Sequence, residues 1–303
     1  MVVLALSLAL VQVKTSYVYK EAAGVAIELD VHRDAGAEPR PVLVWIHGGA
    51  LIMGSRGAVP RHLLDLCQAE GFALVSIDYR LAPQVKVPDI LGDVEDAFRW
   101  IRGKGVELAR LDPRKLVVSG GSAGGYLTLM AGLLEPRPTA LVAYWGYGDV
   151  DGAWYTTPSA FYRRAHPLFE REEVLKALAP EVVTAPAGKA QAEARSRYYY
   201  YLRQNGLWTR EVAGFEPGKR LDPYCPVRNV TPAYPPSMLI HGTADDDVPY
   251  ELSAAMAKEL EKHKVAHELV TVQGSGHGLS GGDPKAVAAA YEKSRAFIKA
   301  NLK

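Results

Sequence analysis

Ser122 stands in the run Gly120-Gly121-Ser122-Ala123-Gly124-Gly125, between a β-branched segment (Leu116 to Val118) and an apolar helical pattern. A serine at a sharp strand-to-helix elbow needs neighbours without bulk, because its backbone is strained and its Oγ must project from the sheet edge. The helix that follows aims free N–H groups back at the turn, so an anion formed there would meet donors. Acyl transfer by such a serine needs a base, a carboxylate to orient the base, and donors for the oxyanion. His277 lies in Gly-Ser-Gly-His-Gly, a loop in which packing gives no reason for an imidazole, and Asp245, Asp246 and Asp247 follow a strand in His-Gly-Thr-Ala-Asp-Asp-Asp-Val-Pro. Each has a plainer reading: a small-residue turn for Ser122, a solvated loop for His277, and acids at a helix start for the aspartates. It is the combination, Ser then Asp then His at successive strand ends, that points to chemistry.

Other polar groups carry less. His47 and His241 end strands and are expected to tie loops together rather than ligate metal. Asp149-Val150-Asp151-Gly152 lacks the spacing and the later Glu of a calcium loop, and Cys67 and Cys225 have no metal-ligand or redox spacing, so no metal and no cofactor are expected. Lys+Arg 35 against Asp+Glu 34 gives a net charge of +1, which offers no field for nucleic acid or anionic lipid; the expected partner is a small neutral molecule. The first thirteen residues are apolar but too short to span a bilayer and lack a basic start and a cleavage site. With Leu4, Leu6, Leu8 and Leu10 alternating, they read as a strand. A cytoplasmic protein is therefore expected, a secreted one being the alternative if residues 1–13 belong to a signal peptide.

The elements that must position Ser122, His277 and the aspartates follow from periodicity. Residues 11–33 read as an antiparallel opening hairpin with its turn at Ala23-Gly24. Continuous apolar runs at 41–50, 72–83, 116–118, 139–145 and 236–242 read as buried strands, and 267–272 as a further one. Helices are expected near 57–70, 88–103, after Ser122, at 249–263 and at 283–301. Strand–helix alternation predicts an α/β fold: a mostly parallel, doubly wound sheet with an antiparallel start. From Tyr147 to Pro226 the pattern turns Pro-, Arg- and aromatic-rich, too long for a structureless loop, and predicts a helical cap inserted into the core. The expected division is a core of 1–146 and 227–303 with a cap of 147–226. The cap aromatics (Trp154, Tyr155, Phe161, Tyr162, Tyr198 to Tyr201, Trp208) are expected to be mostly core, a few lining the site.

His47-Gly48-Gly49, Asp78-Tyr79-Arg80-Leu81-Ala82-Pro83, the Ser122 run, His241 to Pro249 and the His277 loop together resemble the hormone-sensitive-lipase-like carboxylesterases and bacterial esterases of the α/β-hydrolase superfamily. The resemblance covers the core from about residue 17 onward and is weak in the cap. It implies Ser122 as nucleophile, His277 as base, Asp245 as the orienting carboxylate, four residues after His241, and an oxyanion hole from the N–H groups of Gly49, Ala50 and Ala123. Ala50 stands where the family usually has a third glycine, Gly121 where an acid is frequent, and Gln84 where a Glu is usual. Asp246 and Asp247, just before Val248-Pro249, are expected to serve the next helix, Asp247 near its N-cap, both facing solvent. The expected function is ester hydrolysis through an acyl-enzyme, favouring short acyl chains. The alternatives are an amide-cleaving relative (arylformamidase or exopeptidase) and a non-catalytic small-molecule receptor on the same fold.

Overall fold

The computed structural model describes residues 12–303; the strand expected over Leu4–Leu10 lies outside them. The chain opens with β1 (Gln12–Ala22) and β2 (Val25–Asp34), an antiparallel pair. Their turn is at Ala23-Gly24, both at positive φ (52° and 79°), the two-residue hairpin geometry that matches strand twist. Then come β3 (Arg40–Ile46), α1 (Arg61–Glu70), β4 (Ala73–Ile77), α2 (Val87–Arg102) and α3 (Lys104–Leu108). β5 (Leu111–Gly121), α4 (Ala123–Ala131) and β6 (Ala140–Tyr144) follow. Between β6 and β7 (Ser237–Gly242) the chain runs through α5 (Ala153–Thr156), α6 (Ala160–Ala165), α7 (Arg171–Ala177) and α8 (Gly188–Asn205). It closes with α9 (Tyr250–Lys262), β8 (His267–Val272) and α10 (Pro284–Leu302).

The eight strands form one sheet in the order β1-β2-β4-β3-β5-β6-β7-β8. β2 meets β4 antiparallel, and every pairing from β4 through β8 is parallel. From β4 through β7 in the sheet order both faces are covered, which is why those strands read as apolar runs, while β8 at the edge leaves Glu268 and Thr271 exposed. On β3, Val42, Val44 and Ile46 join the core under α2, α4 and α9. Leu43 and Trp45, the alternate residues, face the other core, under α1 and α10. Burying each such aliphatic side chain contributes about 1.5–3 kcal/mol, so a one-residue slip of β3 would be strongly opposed. The parallel pairing puts the carboxyl ends of β3, β5, β7 and β8 on one edge of the sheet, and the loops leaving that edge carry the residues singled out above.

Polar groups covered at the exit of β4 find partners, as their burial demands. The Asp78 carboxylate receives the Arg56 N–H (2.6 Å) and guanidinium, which also reaches Asp30 (2.9 Å) and Glu28 (2.8 Å). Tyr79 donates to the His47 carbonyl (2.9 Å), and Arg80 forks onto Asp93 (2.8 Å from each nitrogen). Cys67 and Cys225 are buried free thiols. Among the described residues no helix is long and apolar enough to cross a membrane.

Candidate active site

Ser122 sits between β5 and α4 with φ 57° and ψ −121°, a conformation that L-residues adopt only when their surroundings enforce it. The enforcement is close backbone approach. A Cβ at Gly124 would lie 2.0 Å from the Ile46 carbonyl oxygen, and one at Gly120 would lie 2.3 Å from that of Gly124. The Ser122 N–H is fixed to the Tyr144 carbonyl at 2.9 Å.

His277 lies in the loop after β8 and Asp245 in the loop after β7. His277 Nε2 is 3.1 Å from Ser122 Oγ, and Nδ1 is 2.8 Å from Asp245 Oδ2. An ionised carboxylate only accepts, so Nδ1 carries the proton and Nε2 is left with its lone pair facing the serine hydroxyl. Asp245 is buried and its carboxylate is saturated: Oδ1 accepts the N–H groups of Asp247 and Val248, both at 2.9 Å. Oδ2 is also 3.3 Å from His241 Nε2. Burial alone would raise the Asp245 pKa, but the His241 and His277 hydrogen bonds and the Val248 N–H hold it well below the usual carboxylate range. For His277 burial favours the neutral ring, while the hydrogen bond to Asp245 and the charges of Asp247 and Asp245 outweigh it and raise the pKa above 6.5.

His241 is itself a tie, its ring bridging Ser253 Oγ (2.7 Å) and the Val248 carbonyl (2.9 Å), and so it anchors the Asp245 loop to α9. His47 is buried, stacked on Tyr79 (4.3 Å between centroids), with its pKa lowered by burial to about 4. Trp145, at φ 37°, sets its ring edge-on to His277 at 6.3 Å. A Cβ at Gly121 would come within 3.2 Å of that indole, so the missing acid before Ser122 leaves the space that Trp145 fills.

The loop after β3 abuts the elbow: a Cβ at Gly48 would stand 3.2 Å from that of Ser122. Gly49 has φ 107°, Ala50 55° and Leu51 64°. Ala50 thus takes the positive φ that a glycine would take more easily. The loop's carbonyls hold it in place. Gly49 accepts from Ile52 and Met53 (2.9 Å each), Ala50 from the Trp208 indole (3.2 Å), Leu51 from Ala82 (2.8 Å) and Ile52 from the Arg195 guanidinium (2.8 Å). The N–H groups of Gly49, Ala50 and Ala123 donate to no acceptor among the described residues. Three unpaired donors beside a serine suit an anion.

Asp247 departs from the expectation of a solvent-facing helix cap. The N-cap of α9 is Pro249, without a side-chain bond. The two N–H groups that Asp245 binds turn Asp247 inward. There its Oδ1 accepts from the Tyr199 hydroxyl (2.5 Å) and Arg203 Nη1 (2.7 Å), and its backbone oxygen from Arg203 Nη2 (3.0 Å). Its Oδ2 lies 3.7 Å from His277 Nε2. Arg203 is buried among the rings of Trp154, Tyr155, Tyr162 and Tyr199, 5.0–5.8 Å from their centroids. The sequence counts Tyr199 among the aromatics expected to be mostly core and does not single out Arg203, and it gives α8 no link to residue 247. Asp246 is exposed. Among the described residues no group of three or more His, Cys, Asp or Glu is placed to hold a metal ion.

Residues 43–280 match a family described by the alpha/beta hydrolase fold. Among known proteins, the non-reducing polyketide synthase ausA of Aspergillus calidoustus is 29% identical across 92% of this chain, and the esterase LipC of Mycobacterium tuberculosis is 28% identical across 83%. The chain covers 14% of the synthase's length and 56% of the esterase's. In fold it is similar to a Staphylococcus aureus protein of unknown function (TM-score 0.76, 21% identity, 96% of this chain and 100% of that one). It is also similar to the butyrate-bound esterase 2 of Thermogutta terrifontis (TM-score 0.64, 24% identity, 94% and 92%).

Proposed function

Because this chain belongs to the α/β-hydrolase fold family, we propose that it is a serine hydrolase that cleaves small neutral carboxylic esters through an acyl-enzyme. The observation that carries the reading is the relay from Ser122 Oγ to His277 Nε2 (3.1 Å) and from Nδ1 to Asp245 (2.8 Å). His277 takes the Ser122 proton as Oγ attacks the carbonyl. The N–H groups of Gly49, Ala50 and Ala123 receive the oxyanion, and His277 returns the proton to the leaving alcohol; water then repeats the sequence. An intact relay also disfavours a receptor that kept the fold without the chemistry.

In this reading residues 147–226 act as a cap. Their aromatic rings crowd around Arg203 beside Asp247, which favours short acyl chains, since a pocket must bury most of its ligand. Two likenesses agree: a relative named as an esterase and a fold neighbour solved with butyrate. The test is a series of p-nitrophenyl esters from acetate to dodecanoate. Activity that is greatest on the short members and abolished by Ser122→Ala supports the reading, and turnover that survives Ser122→Ala contradicts it.

A further inference from the structure

Asp247 has no part in the relay above, yet it presents a carboxylate oxygen 3.7 Å from His277 Nε2, the nitrogen that also faces Ser122 Oγ. Tyr199 and Arg203 both bind Oδ1, and together they fix the plane of the carboxylate. The Tyr162 hydroxyl also stands beside this carboxylate, but two oxygens offer about four acceptor sites, so capacity remains toward His277. Arg203, itself buried, pairs with Oδ1 at 2.7 Å, on the other oxygen of the carboxylate from the one near His277.

An ester's leaving oxygen has no hydrogen, so it needs only the proton that Nε2 delivers. An amide's nitrogen differs. Once Ser122 has added to the carbonyl, the nitrogen must turn its lone pair toward the imidazolium, and its own N–H then points into the site. Left unpaired there, that donor would raise the barrier by the cost of a buried, unsatisfied hydrogen-bonding group. Nitrogen must come to about 2.9 Å from Nε2 to take its proton, and Asp247 Oδ2 borders that space, 3.7 Å from the same atom.

We propose that the chain also cleaves secondary amides, and that Asp247 Oδ2 accepts the N–H of the scissile bond as that bond breaks. This rests on the serine hydrolase reading of the same site. Ser122 Oγ bonds to the carbonyl carbon while its proton passes to His277 Nε2 and the carbonyl π pair moves to oxygen. The pair then returns, the C–N bond breaks with its electrons going to nitrogen, and nitrogen takes the Nε2 proton and leaves as the amine. Water, deprotonated by His277, displaces Ser122 Oγ from the acyl carbon, giving the carboxylic acid and restoring the serine proton.

The test compares p-nitroacetanilide with p-nitrophenyl acetate on the same enzyme. The wild-type chain is expected to release p-nitroaniline, and Ser122→Ala to stop the release. Asp247→Asn puts a donor where Oδ2 accepts. Both reactions then slow because His277 loses a neighbouring charge, but the anilide-to-ester ratio of kcat/KM falls about 10- to 100-fold, the loss of one hydrogen bond to a charged acceptor. If Asp247→Asn alone does not fold, Asp247→Asn with Arg203→Met removes the buried pair together and sets a flexible apolar stem among the four rings; the same ratio is read. A wild-type enzyme that cleaves the ester but not the anilide overturns the inference and leaves the esterase reading standing. A ratio unchanged by either variant also overturns it. Failure on both substrates removes the serine hydrolase reading and this inference with it.

Discussion

Asp245 and Asp247 are two residues apart on one loop, yet the sheet's own connections hold the first and the segment between β6 and β7 holds the second. Asp245 is fixed by local or core groups: two N–H groups of its own loop, His241 at the end of β7, and His277 after β8. Asp247 is fixed by Tyr199 and Arg203 on α8, more than forty residues earlier in the chain. The same segment reaches the loop after β3 through Arg195 and Trp208. The core thus supplies Ser122, Asp245 and His277, and the segment between β6 and β7 sets the charge and shape around them.

That division can be broken by mutation, and the largest effect belongs to the core. Asp245→Asn keeps the shape but disturbs the His277 tautomer; kcat for ester hydrolysis is expected to fall about 10⁴-fold, with little change in the urea midpoint. Near-full activity in this variant would move the orienting role to another residue.

The next effect is on stability. Arg203→Ala leaves the Asp247 carboxylate without its buried partner, and an orphaned charge of this kind costs about 3–5 kcal/mol. Urea unfolding monitored by tryptophan fluorescence measures it. A variant as stable as the wild type would show that the segment does not clamp the loop.

Smaller still is a shift in pH dependence. His277 must be neutral to act as base, and its pKa is raised by Asp245 and Asp247. The acidic limb of kcat/KM is therefore expected above 6.5, with activity lost as pH falls through it and His277 gains a proton. Asp247→Asn removes one of the two raising charges, so the limb should move to lower pH. A limb that stays put would mean that Asp247 is not felt at the imidazole. Smallest is Asp246→Asn, which changes an exposed side chain and should alter stability by no more than about 0.5 kcal/mol and leave kcat alone.

The legible and illegible parts of the sequence follow the same division. The strand β8 at His267–Val272, the hairpin turn at Ala23-Gly24 and the elbow at Ser122 could be read because each is set by local pattern: alternation, a two-residue turn, small residues about a serine. Ser122, Asp245 and His277 are brought together because each follows a strand of one parallel sheet, and parallel strands end on a common edge. Asp247 was misread because helix capping is also a local rule, and here it loses. Asp245 takes the N–H groups of Asp247 and Val248, Pro249 takes the N-cap position, and an arginine from a distant helix supplies the counter-charge. Nothing in the spacing of Arg-Tyr-Tyr-Tyr-Tyr-Leu-Arg (197–203) announces which of its residues will face residue 247. Arg56 was missed for the same reason: its three acidic partners, two on β2 and one at the exit of β4, are 22–28 residues away.

The most direct test of the account is to treat the protein with an alkyl fluorophosphonate and map the adduct by peptide mass spectrometry. The account predicts stoichiometric modification of Ser122, strongly slowed by His277→Ala, because the phosphonyl group is captured only by a serine whose proton a neighbouring base can take. No adduct, or one on a different residue, would contradict it.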